Sequence, residues 1–140
     1  MKRIASVGAV AALVLLSACA DRVSLLVHNE TPAPMTCRII FAHWVELAQE
    51  GIPPGRPFVL RMQRQMEDGA LYVHRKGDGR KLMIETLACG PSDDWWANRS
   101  DVPLLPVRSG PERNFVAICA IEDGDFECLG PGGFEFSRGH

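Results

Sequence analysis

The segment from Cys119 to Cys128 constrains the fold more than any other part of this 140-residue chain. It reads CAIEDGDFEC, with Asp123-Gly124 at its centre. This dipeptide favours a two-residue type I′ turn, because both central positions of that turn need a positive φ. Such a turn places the two cysteines directly opposite each other on antiparallel strands, within reach of a disulfide. The segment therefore predicts a β-hairpin closed by a Cys119–Cys128 bond.

Prolines and glycines divide the rest of the chain into short segments. The chain has 10 prolines and 13 glycines, and proline is excluded from the interior of a sheet. The alternation of apolar and polar residues that is typical of strands occurs at 23–27, 37–45, 58–63, 71–74, 82–89, 115–121 and 126–129. Turn signals recur about every ten residues, a spacing typical of sandwiches and small barrels. The sequence predicts an all-β fold, a small β-sandwich or barrel-like sheet of about seven short antiparallel strands.

Two parts of the chain are less regular. The spacing of Phe41, Trp44 and Val45 also fits a helix, and Gly51 suits a helix C-cap. The strand that starts near residue 37 is therefore expected to finish in a helical turn. Residues 90–113 are rich in Pro, Gly, Ser, Asp and Asn, and they are expected to form a long loop.

Cys37 and Cys89 are left to pair once the hairpin bond is assigned. Their bond is expected to join distant strands of the sandwich. On the chain-entropy account it contributes about 4 kcal/mol, against roughly 2–3 kcal/mol for the shorter hairpin loop. Zinc is disfavoured, because the sequence has no C-x-x-C or His-Cys spacing. The sequence predicts two disulfides, no metal and no cofactor.

The first residues of the chain have the pattern of an export signal. Lys2 and Arg3 precede an apolar run over 4–16, which is shorter than the roughly 20 residues that span a bilayer. The pattern predicts a signal peptide over residues 1–18. Export to an oxidising compartment is consistent with the even number of remaining cysteines.

The tetrapeptide LSAC, which ends at Cys19, directly follows the apolar run and resembles the lipobox of bacterial lipoproteins. The resemblance implies cleavage before Cys19, a diacylglyceryl group on its thiol, and a periplasm-facing protein anchored to a membrane. In these lipoproteins an Asp after the lipidated cysteine favours the inner membrane, so Ala20 favours the outer membrane. Ala18 and Ala20 also form an A-x-A pair, and ordinary cleavage before Asp21 is the alternative. The resemblance covers the leader and not the mature domain.

Cleavage before Cys19 leaves 122 residues, which is enough for one domain. We predict a lipidated tether over 19–22, a single β domain over 23–136 and a frayed tail over 137–140. Without the two basic residues of the leader, 13 basic residues stand against 17 acidic ones, a formal net charge of −4. This charge argues against nucleic acid as a partner.

The sequence predicts no catalytic residues. It has no G-x-S-x-G motif. His28, His43 and His74 fall on predicted strands without an ordered Ser or Asp partner. Met62, Met66 and His74 hint at soft copper ligands, but methionine more often fills a core. We therefore expect a protein that is not an enzyme.

Asp94, Trp95, Trp96 and Arg99 form the most distinctive part of the long loop. Adjacent residues of an extended chain point to opposite sides, so one indole is expected to pack inward and the other outward. An exposed Trp beside Arg99 and Asp94 has the composition of a binding hot spot. The alternative is that both indoles cap the edge of the sandwich.

These features together favour a membrane-anchored, non-enzymatic binding or structural module. Its expected partners are the membrane, through the N-terminal lipid, and an envelope protein or glycan. The alternative is a periplasmic hydrolase inhibitor or a small-ligand carrier, with residues 92–101 as the loop that enters an active site.

Overall fold

The computed structural model describes residues 20–131. Its nine strands are β1 (Ala20–Asn29), β2 (Met35–Phe41), β3 (Glu46–Ile52), β4 (Pro57–Gln65), β5 (Leu71–His74), β6 (Lys81–Pro91), β7 (Ser100–Asp101), β8 (Asn114–Glu122) and β9 (Asp125–Leu129). Two one-turn helices, α1 (Trp95–Asn98) and α2 (Leu105–Arg108), flank β7. The all-β prediction is confirmed, with two strands more than the seven expected. The signal peptide, the lipobox and the predicted tail lie outside the described residues.

The strands follow one continuous path in the order β3-β2-β6-β5-β4-β1-β8-β9, with β7 beside β6. The long strand β6 belongs to two pairings, because Lys81–Met83 pair with β5 and Ile84–Pro91 pair with β2. The sheet thereby bends into two facing layers around an apolar core, and within residues 20–131 it is not closed between β3 and β9. Not every pairing is antiparallel, since β1 and β8 run parallel. Parallel neighbours need a long connection, and these two strands are far apart in the sequence.

The first strand is longer than its alternation predicts. It begins at Ala20, so residues 20–22 of the predicted tether are paired with β4. The Asp21 carboxylate explains part of this extension, because it lies 3.2 Å from a guanidinium nitrogen of Arg64 and 3.4 Å from one of Arg113. Arg64 is buried and also donates to the carbonyl oxygen of Val107 at 2.9 Å. The start of β1 is thus tied to two other segments, and through Arg64 to the carbonyl oxygen of Val107.

The β8–β9 hairpin has the predicted register, with Cys119 opposite Cys128. Asp123 and Gly124 have φ values of 52° and 86°, as a type I′ turn requires. The Cys119–Cys128 disulfide is confirmed, with a sulfur–sulfur distance of 2.05 Å.

The second disulfide, Cys37–Cys89, is also confirmed. It joins residues that are directly paired on β2 and β6, whereas the prediction that it joins distant strands is wrong. The two disulfides lie together in the core, because the sulfur atoms of Cys89, Cys119 and Cys128 are all within 4.8 Å of one another. The two layers of the fold therefore meet at a stack of two disulfides.

The region after β2 is only partly as predicted. The expected helical turn exists as one 3-10 turn, Ala42–Trp44, in which His43 and Trp44 have φ values of 69° and 64°. The chain then returns as β3 instead of continuing as a helix, because the open edge of β2 offers hydrogen bonds to residues 46–52. Gly51, which was expected to cap a helix, lies within this strand with a φ of 65°.

Residues 90–113, which the composition predicts to be a loop, contain α1, β7 and α2. The short strand β7 fixes this segment, since it pairs with Ala88 and Cys89 of β6. The hydroxyl of Ser100 also accepts a hydrogen bond from the backbone N–H of Cys128 at 3.1 Å. The segment therefore lies along β6, and α1 is held against that strand.

Candidate binding surface

The floor of the candidate surface is the face of β2 and β6 opposite the disulfide. Arg38 and Ala88 are paired on this face, and Gly90 lies two residues further along β6. A Cβ atom at Gly90 would lie 3.1 Å from Cδ1 of Trp95 and 3.0 Å from the Cα of Arg99. Small residues on β6 therefore allow α1 to approach the sheet closely.

Trp95 and Trp96 have opposite environments. Trp95 is 5% exposed, whereas Trp96 is 67% exposed. Their rings are perpendicular, with centroids 4.9 Å apart, an edge-to-face geometry that aromatic pairs favour. The prediction that one indole points inward and the other outward is confirmed. The cause is the turn of α1 and not the extended chain on which the prediction rested.

Two guanidinium groups lie beside these rings. The Cζ atom of Arg38 is 4.8 Å from the ring centroid of Trp95 and 5.4 Å from that of Trp96. The corresponding distances for Arg99 are 5.3 Å and 5.7 Å. All four are within the range of cation–π attraction. We call Arg38, Trp95, Trp96 and Arg99 the Trp–Arg surface.

The polar atoms of the Trp–Arg surface are only partly engaged. Arg99 donates to the carbonyl oxygen of Trp96 at 2.8 Å. Arg38 forms an ion pair with Glu46 of β3, at 3.5 Å between nitrogen and oxygen. Among residues 20–131, the buried Nε of Arg38 and the buried Nε1 of Trp95 have no hydrogen-bond partner.

Asp94, which was predicted to belong to the binding site, has a different environment. Its carboxylate accepts a hydrogen bond from Nδ2 of Asn98 at 2.6 Å, and its carbonyl oxygen accepts one from the backbone N–H of the same residue. These bonds span α1 from end to end. Asp94 therefore holds the turn that carries the two tryptophans and, within the described part of the chain, forms no ion pair with Arg99.

Arg38 belongs to the surface although it is not among the binding residues predicted from the sequence. Its predicted strand has Arg38 on the face opposite Cys37, which is correct. In the strand pairing that contains the Cys37–Cys89 bond, Arg38 lies opposite Ala88. The sequence signal for this floor is the pair of small residues, Ala88 and Gly90, on either side of Cys89.

The residues considered as soft copper ligands are not brought together. Met62 lies in the core, whereas Met66 is exposed in the turn after β4. His74 is exposed on β5, where its Nε2 lies 3.0 Å from Oε1 of Gln63. These three side chains therefore lie in different environments and do not form one site.

No family model matches the chain, and no curated protein matches it. A solved structure, described as an NMR structure of a protein from Eubacterium rectale, is similar with a TM-score of 0.44 and 6% identity, over 77% of this chain and 86% of that chain. Within residues 20–131, no helix has the length and apolarity needed to cross a bilayer.

Proposed function

We propose that this chain is a lipid-anchored, non-enzymatic binding module of the bacterial envelope, and that its Trp–Arg surface contacts an envelope glycan or protein. The observation that carries the proposal is the exposed indole of Trp96, which packs on the buried indole of Trp95 with two guanidinium groups beside both rings. A rigid, exposed Trp next to Arg is the composition of a binding hot spot.

The chemistry of the surface favours an anionic glycan as the partner. The flat face of an indole suits the apolar C–H face of a sugar ring. A guanidinium group donates paired hydrogen bonds to a carboxylate or a phosphate. Indole and guanidinium groups supply hydrogen-bond donors and no acceptor for a proton. The surface is therefore suited to binding and not to acid–base catalysis.

The proposed anchor is a lipid on Cys19, inferred from the lipobox resemblance of the leader. The two disulfides are compatible with a location outside the cytoplasm. Since β1 begins at Ala20, a lipid on the preceding residue would hold the domain against the bilayer without a flexible linker. A diacylglyceryl group supplies two acyl chains, and more than one chain is needed for a stable anchor. The proposed membrane is the outer membrane.

Binding to glycans can be tested by co-sedimentation of the purified protein with cell-wall sacculi and with lipopolysaccharide. We expect Trp96→Ala to lower the affinity about tenfold or more, because it removes the exposed centre of the surface. Trp44→Ala is the matched control, since Trp44 is 91% exposed in the turn between β2 and β3. Equal binding by the two variants would contradict the assignment. If the protein binds neither polymer and an envelope protein is crosslinked through position 96, the partner is a protein and not a glycan.

The anchor can be tested by the intact mass of the protein extracted from membranes, measured with and without reductant. We expect residues 1–18 to be absent and Cys19 to carry a diacylglyceryl group. Reduction should add the mass of four hydrogen atoms, two for each disulfide. A full-length chain with free thiols in the soluble fraction of its native cell would refute the proposed location.

A further inference from the structure

The open side of the bent sheet contains an apolar groove that is separate from the Trp–Arg surface. The groove lies between β3 and the facing strands β4, β5 and β6, and its volume is about 460 Å³. Val45 and Leu47 form one wall, and Phe58, Val73 and Leu82 form the other. This volume is within the range of about 300–1,000 Å³ that is typical of sites for small molecules.

The register of β3 shows that this groove is an unfilled part of the interior. Leu47 is paired with Ile39 of β2, so both side chains point to the inner face of the sheet. Ile39 is 1% exposed, whereas Leu47 is 52% exposed. An inward-facing leucine keeps this much exposure only when the opposite wall does not reach it. The opposite wall consists of partly buried side chains that also pack on the core.

Positive charge stands at one end of the groove. Arg75 and Lys76 line it from the turn between β5 and β6, next to His74 at the end of β5. Arg75 is engaged by the carboxylate of Asp78. Lys76 forms no ion pair within the described residues, so its ammonium group is available to a ligand.

The acidic residue of the groove does not cancel this charge. Glu46 lies on the β3 wall, and its carboxylate is directed to Arg38, at 3.5 Å. The groove thus combines an apolar interior with a free cation at its end. This combination complements a molecule that has an apolar chain and an anionic head.

We propose that the groove binds one acyl chain of a single-chain anionic amphiphile, a fatty acid monomer, with its carboxylate next to Lys76. The apolar walls remove the chain from water, which provides most of the affinity. The ammonium group of Lys76 then fixes the direction of the chain through a charge-assisted hydrogen bond. The proposal does not depend on the partner of the Trp–Arg surface.

The test is isothermal titration of the purified protein with decanoate below its micellar concentration, compared with decyltrimethylammonium. We expect saturable binding of one decanoate, and at least tenfold weaker binding of the cation with the same chain. Leu47→Trp fills the groove and should weaken decanoate binding at least tenfold. Leu129→Trp is its matched control and should have no effect, because Leu129 is 57% exposed on the other open edge strand, β9.

The contribution of the head-group charge to binding is tested separately, with substitutions at exposed positions. Lys76→Glu should weaken decanoate binding at least fivefold. Lys81→Glu should not, because Lys81 lies outside the groove, 4.4 Å from the ring centroid of Tyr72. The proposal is overturned if decanoate does not saturate, if both tryptophan variants bind it equally, or if the two head groups bind equally. A dimer in sedimentation that Leu47→Trp dissociates would also overturn it, since a second copy would then cover the groove.

Discussion

At the scale of single residues, Asn29 shows how one buried polar group at the end of β1 connects that strand to β3 and to the loop that follows β1. Its Nδ2 donates to the carbonyl oxygens of Ala33 and Ile52, at 2.8 Å and 2.9 Å. Its Oδ1 accepts from the backbone N–H and the hydroxyl of Thr31, at 3.0 Å and 2.6 Å. Every polar atom of this fully buried amide is therefore engaged, and the end of β1 is tied to the end of β3.

We expect Asn29→Ala to lower the free energy of unfolding by about 2–3 kcal/mol, because it leaves buried carbonyl and N–H groups without partners. Asn29→Asp should also destabilise the protein, since a carboxylate cannot donate to the two carbonyl oxygens. Urea denaturation measures both changes. Asn114→Ala, at an exposed position on β8, is the control. A loss at Asn29 as small as the loss at Asn114 would show that the amide network does not stabilise the fold.

The candidate site contains residues that can be identified from the sequence alone and one that cannot. Trp95, Trp96 and Arg99 were found because they are unusual in a polar segment. Arg38 was missed, because an arginine on a strand face is ordinary until the partner strand is known. Nothing among the described residues explains the exposure of Trp44.

At the scale of elements, local chemistry decides which strands a sequence can predict. The β8–β9 hairpin was predicted with its register because Asp123-Gly124 specifies the turn by itself. β3 was missed because five of its seven residues are Glu, Leu, Ala, Gln and Glu, which favour helices, and only Ile52 is buried. Its strand form depends on pairing with β2, a tertiary effect that overrides propensity.

The two disulfides differ in the length of chain that they close, with sequence separations of 52 and 9 residues. We expect the double variant Cys37→Ala/Cys89→Ala to lose about 4 kcal/mol of unfolding free energy, and Cys119→Ala/Cys128→Ala about 3 kcal/mol. Both bonds are buried, so the difference reflects the entropy of the unfolded chain. Denaturant titration of the two double variants measures the order, and a larger loss for the hairpin pair would contradict this account.

The turn between β5 and β6 contains an ionisable group with a shifted titration. Hydrogen bonding to Arg75, followed by the backbone N–H of Arg80, holds the pKa of the Asp78 carboxyl well below its usual range. Because the pKa is lower in the folded state, the stabilising contribution of Asp78 is present above its unfolded pKa of about 3.9 and is lost as the pH falls toward the folded value.

We therefore expect the carboxyl carbon of Asp78 to show no NMR titration between pH 7 and pH 4. The difference in Tm between the wild-type protein and Asp78→Asn should shrink as the pH is lowered below 4. Asp125→Asn, on an exposed residue of β9, corrects for the general effect of losing a carboxylate. A Tm difference that does not change with pH would contradict the role of the ion pair.

At the scale of the whole molecule, the same bend in the sheet produces a closed region and an open one. Around Cys89, toward the end of β6, the layers meet at the two disulfides, and all four cysteines are buried. Toward β3 the layers diverge, and the apolar groove is left between them. The position of the groove could not be predicted from the sequence, because it depends on the distance that the bend leaves between β3 and the facing strands.

The contact between the two layers at the stacked disulfides can be tested by thiol–disulfide exchange. In the single variant Cys37→Ala, the thiol of Cys89 is left within 4.8 Å of the sulfur atoms of Cys119 and Cys128. Its thiolate can attack that disulfide, so that a bond from Cys89 to one of the two sulfurs forms, the hairpin bond breaks, and the other cysteine leaves as a thiolate. We expect peptide mapping at pH 8 to find this bond between the layers in a substantial fraction of the molecules.

The converse variant Cys89→Ala is the matched control. It leaves Cys37 with the free thiol, and the sulfur of Cys37 does not belong to the group of three within 4.8 Å. Cys89→Ala should therefore retain the Cys119–Cys128 bond, although both variants lose the same disulfide and have the same number of thiols. Equal exchange in the two variants would mean that the sulfurs meet through unfolding. Exchange in Cys37→Ala alone would mean that the two layers are packed together at this point in the folded protein.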